Sequence, residues 1–214
     1  MRVNNGENNE LIKKWFKEEI AEGENGIIIY PNLQTFREIY MQYVKDELAK
    51  EEEEEGEGEN NSTGNKQLMP RIILIATFYE TINSVKHNLN AEGIDVQRHI
   101  DSGSLVIVDA FRSYYPDING MKKLVASLSQ RAGKEGRVGV SAIVDMGYFF
   151  LFGGDGRATE LINYEASLAP KTIGSNVRGF SCYHGGNYNT LKDSQRKELV
   201  QKGKKLLEVT QGTY

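Results

Sequence analysis

Two aspartates, Asp109 and Asp145, stand at the carboxyl ends of apolar runs, residues 105–109 and 138–145. An acidic side chain in that position organises magnesium in phosphoryl-transfer enzymes, and the same side chain also caps helices. The first use requires a phosphate loop of the form GxxxxGK[ST], in which glycine amides cradle the phosphates and lysine neutralises them. No such motif occurs in the 214 residues. The Gly153-Gly154-Asp155-Gly156 cluster has no lysine after it and reads as a turn. Cys182 and His184 are two apart and share a face if the segment is a strand. That spacing suits a thiol–imidazole pair, and it equally suits a buried cysteine beside a strand-end histidine. No complete catalytic motif emerges, so the chain reads as non-enzymatic with no catalytic residue assigned.

The aromatic residues carry a further pattern. Tyr30, Phe78, Tyr79, Phe111, Tyr114, Tyr115, Tyr148 and Phe149 all fall at or just beyond the ends of apolar runs. In a parallel sheet those ends share one rim, where ligands bind. The rim either closes over its own core or lines a pocket for a small, largely apolar molecule. The candidate ligand-binding residues are Tyr30, Asn32, Thr77, Phe78, Tyr79, Asp109, Asp145, Tyr148 and His184.

The elements that must position them follow from periodicity. Residues 8–21 place Leu11, Ile12, Trp15, Phe16 and Ile20 at helical spacing, which predicts an amphipathic helix packed on the main sheet. The run Gly26-Ile27-Ile28-Ile29-Tyr30, a turn at Pro31-Asn32 and a helical pattern through Leu48 form a strand–loop–helix unit. Residues 50–68 are acidic and rich in Gly, Asn and Ser, and they read as a disordered insertion. Residues 71–77 are apolar without alternation, as in a strand buried on both faces. Thr81 is placed to cap the following helix. Strands are predicted at 105–109, 138–144 and 177–183, helices at about 121–133 and 159–168, and a basic terminal helix at about 191–207.

Strand and helix thus alternate five times. The expectation is a single three-layer α/β domain over 1–214, with a mostly parallel sheet of about five strands and helices on both faces. A net charge of -4 gives no electrostatic footprint for nucleic acid. One cysteine and three separated histidines argue against a disulfide and a metal site. No long apolar run and no leader-like amino terminus are visible, so a cytoplasmic protein without a membrane partner is expected.

The order of pieces across residues 72–109 resembles KaiC-like proteins of the RecA-type fold. It resembles more closely the methanogen/methylotroph DcmR sensory domain (MEDS), a relative without the phosphate loop. The matching pieces are residues 27–30, Gly93-Ile94-Asp95-Val96, Ser102 to Leu105, Tyr164-Glu165 and Cys182-Tyr183. The sequence departs from that pattern in its amino-terminal helix, its acidic insertion, and Asp145 where the family more often has Gly-Glu. The resemblance implies a non-catalytic sensory or signalling domain with a small apolar ligand, no cofactor, and possible partners in a second copy or a signalling protein. The alternative is a degenerate KaiC-like nucleotide-binding or assembly protein without ATPase activity.

Overall fold

The structure is a computed structural model that describes residues 2–4, 8–56, 69–151, 155–200 and 204–210. Seven strands form one sheet: β1 (Arg2–Asn4), β2 (Asn25–Tyr30), β3 (Ile72–Thr77), β4 (Leu105–Asp109), β5 (Val140–Asp145), β6 (Val177–His184) and β7 (Lys205–Thr210). Their order is β1-β7-β2-β6-β5-β3-β4, and every pairing is parallel. Strands β2, β3 and β5 are buried along their whole length, as expected where helices cover both faces.

The covering helices divide between two cores. On one face lie α1 (Asn8–Lys14) with the π-helical turn Trp15–Glu19, then α2 (Leu33–Gly56), α3 (Ile82–Ala91) and α4 (Val96–Asp101). On the other lie α5 (Ala110–Tyr114), α6 (Gly120–Glu135), the 3-10 turn Gly147–Phe150, α7 (Asp155–Ala166), α8 (Pro170–Ile173), α9 (Gly185–Tyr188) and α10 (Asp193–Val200). Alternation along β2 shows the division directly: Ile27 and Ile29 enter the second core, Ile28 and Tyr30 the first.

Among the described residues the sheet has seven strands rather than about five. The terminal helix expected over 191–207 is α10, which ends at Val200; β7 follows and pairs with both β2 and β1. Its residues Leu207 and Val209 are buried on one face, a period of two that nearby lysines obscure in the sequence. Strand β1, with three residues, is too short to leave a pattern. In the predicted acidic loop, α2 continues to Gly56. The rest of that expectation, residues 57–68, lies outside the described residues. Pro170 opens α8 rather than only stopping α7, as its fixed φ permits at a helix start.

The amino-terminal helix packs as its spacing predicts. Trp15 and Phe16 are buried and meet Phe180 of β6 at ring separations of 6.1 and 4.8 Å. Gly26 makes this approach possible, since a Cβ there would come within 2.4 Å of the Trp15 ring. Truncating Trp15 to alanine should cost about 3–5 kcal/mol of unfolding free energy in chemical denaturation. An unchanged midpoint would show that α1 is not part of the cooperative core.

Candidate functional site

Helices that follow neighbouring strands on opposite faces leave a crevice at the carboxyl end of the sheet. One such boundary lies between β2 and β6, because α2 packs on the first core while α9 and α10 pack on the second. Another lies between β3 and β5, followed by α3 and α7. Six of the nine candidate residues meet there: Tyr30, Thr77, Phe78, Tyr79, Asp145 and His184.

Register explains the meeting. Asp145 lies beside Cys182, and Tyr30 lies beside His184 one strand further on. The Tyr30 phenol reaches across β6 and donates to Asp145 Oδ2 at 3.2 Å. The Gly147 amide donates to Asp145 Oδ1 at 3.0 Å, and the backbone of Phe78 and Tyr79 adds further hydrogen bonds. Glycine is required at 147, where a Cβ would lie 2.3 Å from the Phe78 ring. Asp145 and Tyr30 are both 0% exposed. Burial pushes the Asp145 carboxyl up to about 7, and these donors hold it from rising further. Burial and the Asp145 charge push the Tyr30 phenol far above its ordinary value, so it remains a donor.

A second layer covers this contact. The His184 ring meets Tyr30 edge-on at 5.6 Å and Tyr79 at 6.0 Å, and Asn187 donates to the Tyr79 hydroxyl. Tyr79 retains 42% exposure and is the outer face of the cluster. The Thr77 hydroxyl closes the turn after β3 by bonding both the N–H and the C=O of Glu80 at 3.2 Å. The Glu80 carboxylate in turn accepts from Arg37 Nε at 2.7 Å, Tyr40 at 3.1 Å, Ser84 at 3.1 Å and Asn88 at 3.3 Å.

The remaining candidates sit elsewhere. Asn32 caps α2, accepting from the Thr35 amide at 2.9 Å, and Asp109 caps α5, accepting from the Arg112 amide at 3.2 Å. Tyr148 belongs to the opposite core. Its ring stacks on Tyr114 at 5.1 Å, with the Arg157 guanidinium 5.5 Å from its centroid. With Phe111, Tyr115 and Glu160 it walls a cleft of about 420 Å³. The rim aromatics therefore split into a plug around Asp145 and a cleft around Tyr148. Cys182 is fully buried, and its thiol is directed at the Phe180 carbonyl, 3.6 Å away; burial pushes its pKa well up.

Gly147, Asn187, Glu80 and Arg157 also belong to these two groups, and no motif in the sequence marks most of them. Asp145-Met146-Gly147 carried the one usable signal, an acidic side chain turning back onto the amide two residues on. Among the described residues, no group of three or more His, Cys, Asp or Glu side chains is placed to hold a metal ion. No described helix is long and apolar enough to cross a membrane.

No protein-family model matches the chain, and no curated protein matches it. A solved structure of a KaiC-like protein from the hyperthermophilic archaeon Pyrococcus horikoshii OT3 is similar, with a TM-score of 0.57 and 10% identity. The similarity covers 91% of this chain and 75% of that one. The fold is therefore the three-layer α/β fold of KaiC-like, RecA-type proteins.

The buried carboxyl has a consequence for stability. The folded state holds the Asp145 proton up to about pH 7, whereas the unfolded chain releases it near 3.8. The contribution is thus complete below the unfolded value and is lost as pH rises through the folded one, by on the order of 4 kcal/mol. Replacing Asp145 with asparagine should flatten this part of the profile when unfolding free energy is measured from pH 4 to 8. A variant with the same slope as the wild type would refute the assignment.

Proposed function

We propose that the chain is a non-catalytic KaiC-like sensory domain of the DcmR type, which takes a small, largely apolar ligand at the strand rim. The observation that carries this reading is the Tyr30–Asp145 hydrogen bond, with both side chains fully buried. In a nucleoside triphosphatase, the loop after an early strand cradles phosphates while an acidic strand end faces magnesium across the gap. Here the loop is Tyr30-Pro31-Asn32, its asparagine is committed to capping α2, and the gap is closed by the phenol itself. Neither oxygen of Asp145 faces solvent. Such an arrangement favours a domain that keeps the fold and has given up phosphate transfer.

The cleft around Tyr148 supports this reading as a place for such a ligand. Phe111 and Tyr115 stack at 5.8 Å with 13° between their planes and remain 38% and 64% exposed. Together with Tyr148 they give a concave aromatic wall within the size range of small-molecule sites. A signalling partner or a second copy of the chain would read out occupancy.

The alternative, a degenerate nucleotide-binding or assembly protein, draws on the likeness to the KaiC-like structure. Thermal unfolding separates the two. Small neutral aromatics such as toluene should raise the transition temperature of the wild type, less so after Tyr148→Ala, while Mg-ATP leaves it unchanged. Stabilisation by Mg-ATP that disappears in Asp145→Ala would sink the sensory reading in favour of the nucleotide one.

A further inference from the structure

A second place in the molecule combines an apolar cavity with an ammonium that, among the described residues, makes no direct ion pair with a carboxylate. Between α6 and α7 runs a groove of about 410 Å³ with Asn119, Thr159, Asn163 and Ser167 among its walls. Behind it, against the sheet, lies a cavity of about 30 Å³ lined mainly by Met121, Val125, Ala142, Val144 and Met146. Lys122 and Tyr164 line both spaces and form the partition between them. A cavity with walls of this kind stays dry and has room for roughly two or three carbon atoms.

The charged group in the partition is held by neutral partners. The Lys122 ammonium lies 5.1 Å above the Tyr164 ring and donates to the Ser167 hydroxyl at 2.8 Å. Among the described residues, no carboxylate pairs with it. The nearby acids are engaged elsewhere: Asp117 with Lys123 at 2.6 Å, and Glu160 with Arg157 at 2.5 Å. The first turn of α6 contains no acidic residue. Partial loss of hydration lowers the Lys122 pKa, and the Asp117 charge offsets only part of that. The hydroxyl and amide groups along the groove supply neutral partners, so an incoming carboxylate would meet one cation and no unpaired like charge.

We infer that the groove between α6 and α7 is a binding site for a small aliphatic carboxylate, with its anionic end on Lys122 and its alkyl end in the apolar cavity beside Tyr164. The site adjoins the aromatic rim cleft at Ile118 and Glu160, but it has its own counter-charge and stands without the sensory reading. An ammonium on an aromatic face selects against amines, and the dry cavity selects against ligands without an alkyl end.

The test is a titration of the full chain followed by amide NMR shifts, with butanoate, butanamide and butan-1-amine as probes. Butanoate should give saturable shifts at Lys122, Asn163 and Ser167, while butanamide, of the same shape without the charge, binds at least about tenfold more weakly. Lys122→Met should weaken butanoate by a similar factor, and Lys122→Arg should retain it. The absence of saturable shifts with butanoate would overturn the inference. Equal binding of butanoate and butanamide by the wild type would overturn it as well, without reliance on any variant.

Discussion

A carboxyl group with no exposed surface has to find its hydrogen bonds inside the protein, and Asp145 imposes that requirement on three separate segments. Tyr30 must end β2 at a height from which its phenol clears β6, and the turn after β5 must carry glycine at 147. The turn after β3 must present the Phe78 and Tyr79 backbone, so Thr77 and Glu80 lock its shape. Glu80 is itself buried, and Arg37, Tyr40, Ser84 and Asn88 satisfy it from α2 and α3. One buried acid thus ties the carboxyl ends of the central strands to the helices covering one face. The partners are specific because each unsatisfied group would cost more than a made hydrogen bond returns.

Much of this architecture is legible in the sequence wherever burial is two-sided. Ile72–Thr77 and Asn25–Tyr30 are buried throughout and, apart from Asn25, Thr77 and the Tyr30 hydroxyl, carry no polar side-chain group because helices cover both faces; their ends are placed within one or two residues. Thr81 caps α3 as its position suggests, accepting from the Ser84 amide. Strand β7 escapes because Lys204 and Lys205 give its start a helical, solvated look, although Lys204 is half-buried and paired with Glu165. Helices α4 and α5 escape because five or six residues hold too little periodicity to register.

At the site, the composition of the rim is legible and its partition is not. Tyr30, Phe78, Tyr79 and Tyr148 all follow strand ends, but the face each ring takes depends on the turn it enters. Tyr148 leaves β5 through a 3-10 turn that carries it to the core opposite Tyr30. Asn32 and Asp109 are short polar side chains at strand–helix junctions, and a cap and a ligand contact look identical there until the helix start is known. The strand order places the crevice where Asp145 lies. What fills it is a property of this chain's own side chains, and Tyr30 in particular.

Closure of that crevice by a direct contact between Tyr30 and Asp145 is the central claim, and a double-mutant cycle measures it. Unfolding free energies of the wild type, Tyr30→Phe, Asp145→Asn and the double variant, taken at pH 8 where Asp145 is ionised, give the coupling between the two groups. A coupling of roughly 1.5–3 kcal/mol is expected for a buried hydrogen bond to a charged acceptor. Additivity within about 0.5 kcal/mol would mean that the two side chains do not act on each other, and the crevice would have to be closed by something else.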